Sequence, residues 1–516
     1  MSVGTDQSGI VGYARQHEHH FAHAPLPALP LPLPPSLRGP LMGRAIMVCG
    51  TTSGAGKSFL VTALARWYAR RGLKVAPFKA QNMSNNARVV ADGEMGSAQY
   101  FQALAARVEP DVRMNPVLLK PESDTSSQVV VLGKPDAELS RTPWRERSER
   151  LWPTVRSSLE ALGSEYELLV IEGAGSPAEI NLESSDIVNM RVAEAAKAAT
   201  LLVADIDRGG AFAHLYGTHQ LLKPAHRALL QGFVLNKFRG DAALLAPAPA
   251  LLEELTGVPT LGVLPMWREH GLPEEDGVFD AAPAGDGFNV AIVSYPRISN
   301  LDEFAPLRRV PGLSLGWVRR PEGIARADLV ILPGSKHVPG DLEWLRATGL
   351  DAAIATHVRT GKPTLAVCGG LQLLGTELTD PDGVEGAATG LGVLPLTTEY
   401  RAGKHQHRTR YTLDRLGGFW EPLSGLSFDG YEIRHGRTEV TGAIESHASL
   451  RLALPGDGGW QQGSVLALYT HGLFESAEVM RALFGAQTPT LEDTLEGLAD
   501  FIDEHLGHDR LMSLLG

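Results

Sequence analysis

From residue 44 onward, short apolar runs alternate with longer stretches in which apolar side chains recur every three to four positions. RAIMVCG (44–50), KVAPF (74–78), YELLVIEG (166–173), ATLLVADI (199–206), GFVLNK (232–237) and PTLGVLP (259–265) read as strands. Strands apolar along their whole length, separated by amphipathic helices, predict a parallel sheet covered on both faces. A second series opens at FNVAIVSY (288–295) and continues through ADLVILPGS (327–335), PTLAVC (363–368) and VLALYTHG (465–472), predicting a second α/β unit. A final helix is predicted over 491–507, and there is no internal repeat. The expected organisation is a tail at 1–42, one domain over 43–270, a linker at 271–287, a second domain over 288–485 and a helical segment over 486–516.

The tail carries a histidine patch (His17, His19, His20, His23) and then PLPALPLPLPPSLRGP. Alternating prolines forbid a helix, so a solvated or polyproline-like tail is expected; the histidines could instead hold a metal, although nothing orders them. A chain starting at Met42 is therefore expected to fold and turn over normally.

Two domains are also what 516 residues imply, since one core rarely grows that large. With 43% apolar and 21% charged residues the composition is that of a globular protein. A formal net charge of −12 argues against a nucleic-acid partner. Only two cysteines, Cys49 and Cys368, exclude a disulfide framework and suit a reducing cytoplasm. No apolar run reaches the roughly 18 residues that span a bilayer, so no membrane is expected.

CGTTSGAGKS (49–58) follows the first strand and precedes a helix. Its glycines Gly50, Gly54 and Gly56 would let backbone N–H groups approach phosphate oxygens, with Lys57 on the terminal phosphates and Ser58 on Mg²⁺. The loop is a variant, because Thr51 stands where G-x-x-x-x-G-K-[ST] requires glycine. Glu172, at the end of a neighbouring strand, could complete a metal site or cap a helix, and Asp205 and Asp207 are open to the same two readings. Asn236 could read a base edge, or simply form a turn. The polar segments at 78–89 and 114–131 hold Gln81, Asn82 and Lys120, which could bind a substrate or form an exposed loop.

LAVCGGLQLL (365–374) places Cys368 between a strand and a helix, with glycines that permit a strained turn. The helix N-terminus would lower the thiol pKa. His471, ending a later strand, could act as base, and the N–H groups near Gly334, Ser335 and Gly369 could hold an oxyanion.

These segments, with KAQNMSNNARV, MNPVLLKP, IEGAGSPAEINL, DIDRGGAFAHLYGT, NKFRGD, SYPRISNLDEF, GYEIRHGRT and THGLFES, resemble the cobyrinate-type class I glutamine amidotransferase family, specifically its cobyric acid synthases. The likeness spans about 44–485. It implies two doubly wound domains, an N-terminal one similar to dethiobiotin synthetase and a C-terminal glutamine amidotransferase domain. It further implies ATP- and Mg²⁺-dependent amidation of a corrinoid, adenosylcobyrinic acid a,c-diamide, at its b, d, e and g side chains, with Cys368 as nucleophile and His471 as base. Most class I members place Glu two residues after that His; here the position is Leu473, so the group orienting the imidazole is left open. The related a,c-diamide synthase is the runner-up, and a nucleotide-driven switch carrying an inert amidotransferase-like domain is the alternative from another class.

Overall fold

Strand β1 (Arg44–Gly50) lies in the middle of the first sheet, and its residues Ile46, Met47, Val48 and Cys49 are completely buried, as strands covered on both faces require. Around it run β2 (Val75–Phe78), β3 (Leu168–Glu172), β4 (Ala199–Asp205), β5 (Leu230–Phe238) and β6 (Thr260–Pro265). All pair in parallel, in the order β6-β5-β4-β1-β3-β2. The order reverses beside β1, and such a switch point opens a crevice at the strands' carboxyl ends. The computed structural model describes residues 43–122, 126–273, 287–442 and 449–516, so the 1–42 tail, its histidines and most of the 271–287 segment lie outside the described residues.

Helix α1 (Lys57–Ala69) follows the glycine-rich loop, and α2 (Ser97–Ala105) follows a hairpin of Ala87–Val90 with Gly93–Gly96. The polar stretch at 78–96 is more ordered than an exposed loop. Gln81–Met83 pairs with Val117–Pro121, and Gln81, Asn82, Ser84, Asn86 and Arg88 are all buried. Its polar pattern hides this because hydrogen bonds rather than apolar contacts hold it inside.

The second sheet contains β7 (Phe288–Val293), β8 (Leu313–Val318), β9 (Leu329–Leu332), β10 (Thr364–Val367), β11 (Leu450–Leu454), β12 (Gly459–Gln462) and β13 (Val465–Leu468). Its order is β8-β7-β9-β10-β13-β12-β11, parallel as far as β13 and antiparallel beyond. Helix α3 (Gly369–Leu374) leaves β10. A hairpin of His405–Thr412 with Ser427–Arg434 extends towards the first domain, where Ile433 packs on Ala87, Leu118 and Val130.

Helix α4 (Leu491–Leu506) begins with a capping box at Thr490 and Asp493, then buries Leu495, Leu498, Ile502 and Leu506 in the core of the first domain. Arg66 of α1, fully buried, meets Glu492 at 2.7 Å and Glu496 at 3.0 Å. The chain thus crosses into the second domain and returns to the first. Among the described residues no helix is long and apolar enough to cross a membrane.

Candidate functional site

The thiol site assembles where β10, β13 and β9 end. Cys368 is the N-cap of α3 and adopts φ 53°, ψ −109°, a left-handed backbone costly for a residue with Cβ. Its N–H donates to Leu468 O at 2.7 Å, tying the turn to β13. Glycine is required next: a Cβ on Gly369 would stand 2.6 Å from Ser335 N, and one on Gly370 would stand 2.1 Å from Leu332 O. The close approach packs the backbone of Gly369, which follows the nucleophile, against that of Ser335. Gly334 lies near the base, since its Cβ would stand 3.2 Å from His471 Cε1. Asp341 anchors this strand, accepting from Ser335 Oγ at 2.6 Å and Arg297 N at 3.1 Å.

His471 is fully buried, and its partner was not legible from local sequence. Nδ1 lies 2.7 Å from Glu303 Oε1, while Glu303 Oε2 accepts from Gly472 N at 3.0 Å. The carboxylate comes from the NLDEF part of SYPRISNLDEF, 168 residues upstream. It occupies the role left open by Leu473. Burial opposes an imidazolium here, but Glu303 and then Cys368 outweigh it, raising the pKa from 6.5 to about 10. Nε2 has no hydrogen-bond partner among the described residues, and the Cys368 thiol, whose charge favours the imidazolium, donates to Ile433 O at 3.7 Å. The Tyr431 ring stacks on the imidazole at 5.0 Å. Cys49, by contrast, is buried within β1 with its thiol pushed up to about 12 by burial, so it is inert as a nucleophile.

The second constellation lines a cavity of about 1040 Å³ at the carboxyl edge of the first sheet. Gly54 and Gly56 hold positive φ, 70° and 98°, and turn the loop into α1. Lys57 Nζ donates to Thr52 O at 3.1 Å and Gly175 O at 3.3 Å, and Gly50 makes room for it, since a Cβ there would stand 3.0 Å from Nζ. Glu172 is 1% exposed; its Oε1 accepts from Ser58 Oγ at 2.9 Å and from Lys79 Nζ at 2.8 Å, and Gln102 donates to Oε2. Burial alone would neutralise this carboxyl, yet Lys79 outweighs it and holds the group below its ordinary range. Lys79 is therefore a site residue, one that no motif in the polar segment at 78–89 marks out.

Gln81 and Asn82 line the same cavity. Lys120 does not: it is buried in an ion pair with Glu94, which Lys404 of the second domain also meets at 2.7 Å. Lys120 is thus engaged by a carboxylate of its own domain, while Lys404 reaches the same carboxylate from the other domain. Asn236 lines the cavity, but its Nδ2 donates to Ala55 O at 2.9 Å and its Oδ1 accepts from Lys237 N at 2.8 Å. Its amide is occupied in bracing the phosphate loop rather than reading a base edge. Asp205 accepts from Asp207 N at 3.0 Å and faces Lys237 Nζ at 3.3 Å.

Comparison with known proteins agrees with both halves. Residues 46–274 match the family model described as the CobQ/CobB/MinD/ParA nucleotide binding domain, and 289–479 match the CobB/CobQ-like glutamine amidotransferase domain. A cobyric acid synthase of Methylibium petroleiphilum is 62% identical, covering 92% of this chain and 97% of its own. Another, of Variovorax paradoxus, is 61% identical, covering 92% and 99%. A solved glutamine amidotransferase aligns over 41% of this chain and 98% of its own at 20% identity, with a TM-score of 0.29, too low to add to the argument. The chain belongs to the cobyric acid synthase family and is a glutamine-dependent amide ligase with an N-terminal nucleotide-binding domain.

Proposed function

We propose that this chain amidates the b, d, e and g carboxylates of adenosylcobyrinic acid a,c-diamide, taking nitrogen from glutamine, as a cytoplasmic step of cobalamin biosynthesis. The observation that carries the reading is the presence, in one chain of this family, of a buried Cys368–His471–Glu303 arrangement and a separate phosphate loop with Lys57, Ser58, Lys79 and Glu172.

At the first site Cys368 Sγ attacks the side-chain amide carbon of glutamine. The N–H groups of Ser335 and Gly369 hold the oxyanion, and His471 Nε2 gives its proton to the departing nitrogen. The C–N bond breaks, ammonia leaves, and water then cleaves the thioester to glutamate with His471 receiving the proton. Glu303 keeps Nδ1–H fixed, so that Nε2 is the nitrogen that exchanges protons.

At the second site ATP supplies the phosphoryl group that turns a corrinoid carboxylate into an acyl phosphate, which ammonia converts to the amide with loss of phosphate. Lys57 and the loop N–H groups hold the phosphates. Lys79, already seated on Glu172, adds a second positive charge on that wall. A hydroxyl and a buried ionised carboxylate suit a hard cation, so Ser58 and Glu172 fit Mg²⁺, which when bound neutralises charge on the phosphates. Met83, Trp144 and Leu182, exposed along the lining of this cavity, would offer apolar surface to the macrocycle.

The a,c-diamide synthase reading is not favoured, because the curated relatives quoted above are cobyric acid synthases. The inert-domain reading has no support in a site that keeps its thiol, base and orienting carboxylate. The deciding experiment is Cys368→Ala. Glutaminase and glutamine-dependent synthesis should both vanish, while ammonium salt at alkaline pH, which supplies unprotonated ammonia, should restore four added amides counted by mass spectrometry. A folded, ATP-binding variant that ammonia cannot rescue would overturn the division of labour.

A further inference from the structure

The base of the thiol site is gripped from the other domain. Arg88, on the hairpin strand Ala87–Val90 of the nucleotide-binding domain, is 2% exposed, and its Nε donates to Asp302 Oδ2 at 3.1 Å. Its guanidinium also meets Glu475 at 2.6 Å and lies 5.0 Å from the Tyr431 ring centroid. Asp302 immediately precedes Glu303, the carboxylate on His471 Nδ1. Glu475 closes the short turn that starts after Gly472, and Tyr431 is the ring stacked on the imidazole. Each support of His471 therefore has a neighbour on Arg88. Adjacent contacts fix the same segment: Asn300 Nδ2 donates to Ala87 O at 2.8 Å and to Tyr431 Oη at 2.6 Å, and Leu301 N donates to Asn86 Oδ1 at 3.1 Å. Five residues before Arg88 the same stretch, Gln81–Met83, forms a wall of the nucleotide cavity.

We propose that Arg88 is a positioning residue for the glutaminase of the opposite domain, holding the Glu303–His471 pair in place and making glutamine hydrolysis depend on how ligands in the synthetase cavity settle residues 81–88. The idea rests on the two-site function above. A guanidinium suits the task because its planar fork can serve two carboxylates while its face meets an aromatic ring, and burial leaves it no alternative partner in water.

The test uses the full-length enzyme. Wild type, Arg88→Met, Arg88→Lys and Asp302→Asn are compared for glutamine hydrolysis with and without ATP plus corrinoid, and for amide synthesis from ammonium salt. In wild type, ATP plus corrinoid should accelerate hydrolysis. Arg88→Met should lower kcat for hydrolysis by roughly 10- to 100-fold with KM for glutamine little changed, because a slight misplacement of a base costs turnover rather than binding. It should also lose the acceleration, while synthesis from ammonia continues. Arg88→Lys should recover part of kcat, and Asp302→Asn should reproduce the loss from the other side of the joint. Three outcomes would overturn the proposal: no acceleration in wild type, unchanged kcat and acceleration in Arg88→Met, or an equal fall in ammonia-dependent synthesis, which would mark Arg88 as structural. Failure of wild type to move glutamine nitrogen to the corrinoid would instead defeat the underlying function.

Discussion

At the scale of single residues, the pair that matters most is one that spacing conceals. A carboxylate two positions after a catalytic histidine is visible in sequence; Glu303, 168 residues upstream of His471, is not. The available signal was an acidic residue inside SYPRISNLDEF, a segment rich in polar side chains yet adjoining a buried strand. Glu303→Gln should reduce glutaminase strongly and spare synthesis from ammonia. It should also reveal itself in stability. A histidine whose folded pKa is raised contributes stability fully below its unfolded value of 6.5 and loses it as pH rises towards about 10. The drop in Tm of Glu303→Gln against wild type should therefore be largest below about pH 6.5 and shrink through alkaline pH, with a cost on the order of 3–5 kcal/mol where it is greatest. An equal Tm difference across that range would show that the ion pair is not formed. Lys57→Ala should abolish synthesis from either nitrogen source, since both require an activated carboxylate; normal synthesis would place the nucleotide elsewhere.

At the scale of elements, the central strands were legible because burial on both faces leaves an almost unbroken apolar run. The structure follows most of those runs within about two residues, although the strand in 465–472 stops at Leu468 and the one in 327–335 at Leu332. The turn at Cys368 was legible for a different reason: glycines after a strand have few other uses. The structure adds that Gly369 is needed for proximity, and this makes a prediction. Gly369→Ala places a methyl group 2.6 Å from Ser335 N and should push the oxyanion donors apart. Glutamine hydrolysis should fall by roughly 10²–10³-fold, while ammonia-dependent synthesis is kept. Hydrolysis at the wild-type rate would move the oxyanion site away from Ser335. The 78–96 stretch was illegible because its burial is paid in hydrogen bonds and ion pairs to residues distant in sequence, including Asp302 and Asn300. Lys120 misleads for the same reason. A basic residue in an acidic chain suggests a substrate anion, but its counter-ion is Glu94.

At the scale of the whole molecule, the amphipathic pattern of 491–507 announces a helix without saying which core receives it. The structure places α4 in the first domain, beside α1, so the residues after 485 complete a fold begun at residue 43. Removing residues 486–516 should strip the buried Trp67 of Asp503 and Tyr68 of the Leu511 carbonyl, leave the buried Arg66 without Glu492 and Glu496, and lower Tm by more than about 10 °C or drive the protein into aggregates. Scanning calorimetry of the truncated chain decides this, and an unchanged transition would mean the helix is an ornament on the surface.

That return has a practical meaning for anyone wishing to cut the molecule in two. A break within 274–286 severs the peptide link between the domains, yet the glutaminase fragment still carries at its far end the helix that the other fragment lacks. The two pieces, expressed together, are complementary halves with a built-in clasp: each is incomplete alone, and docking of α4 into its slot beside α1 restores both the fold of one and the tether of the other.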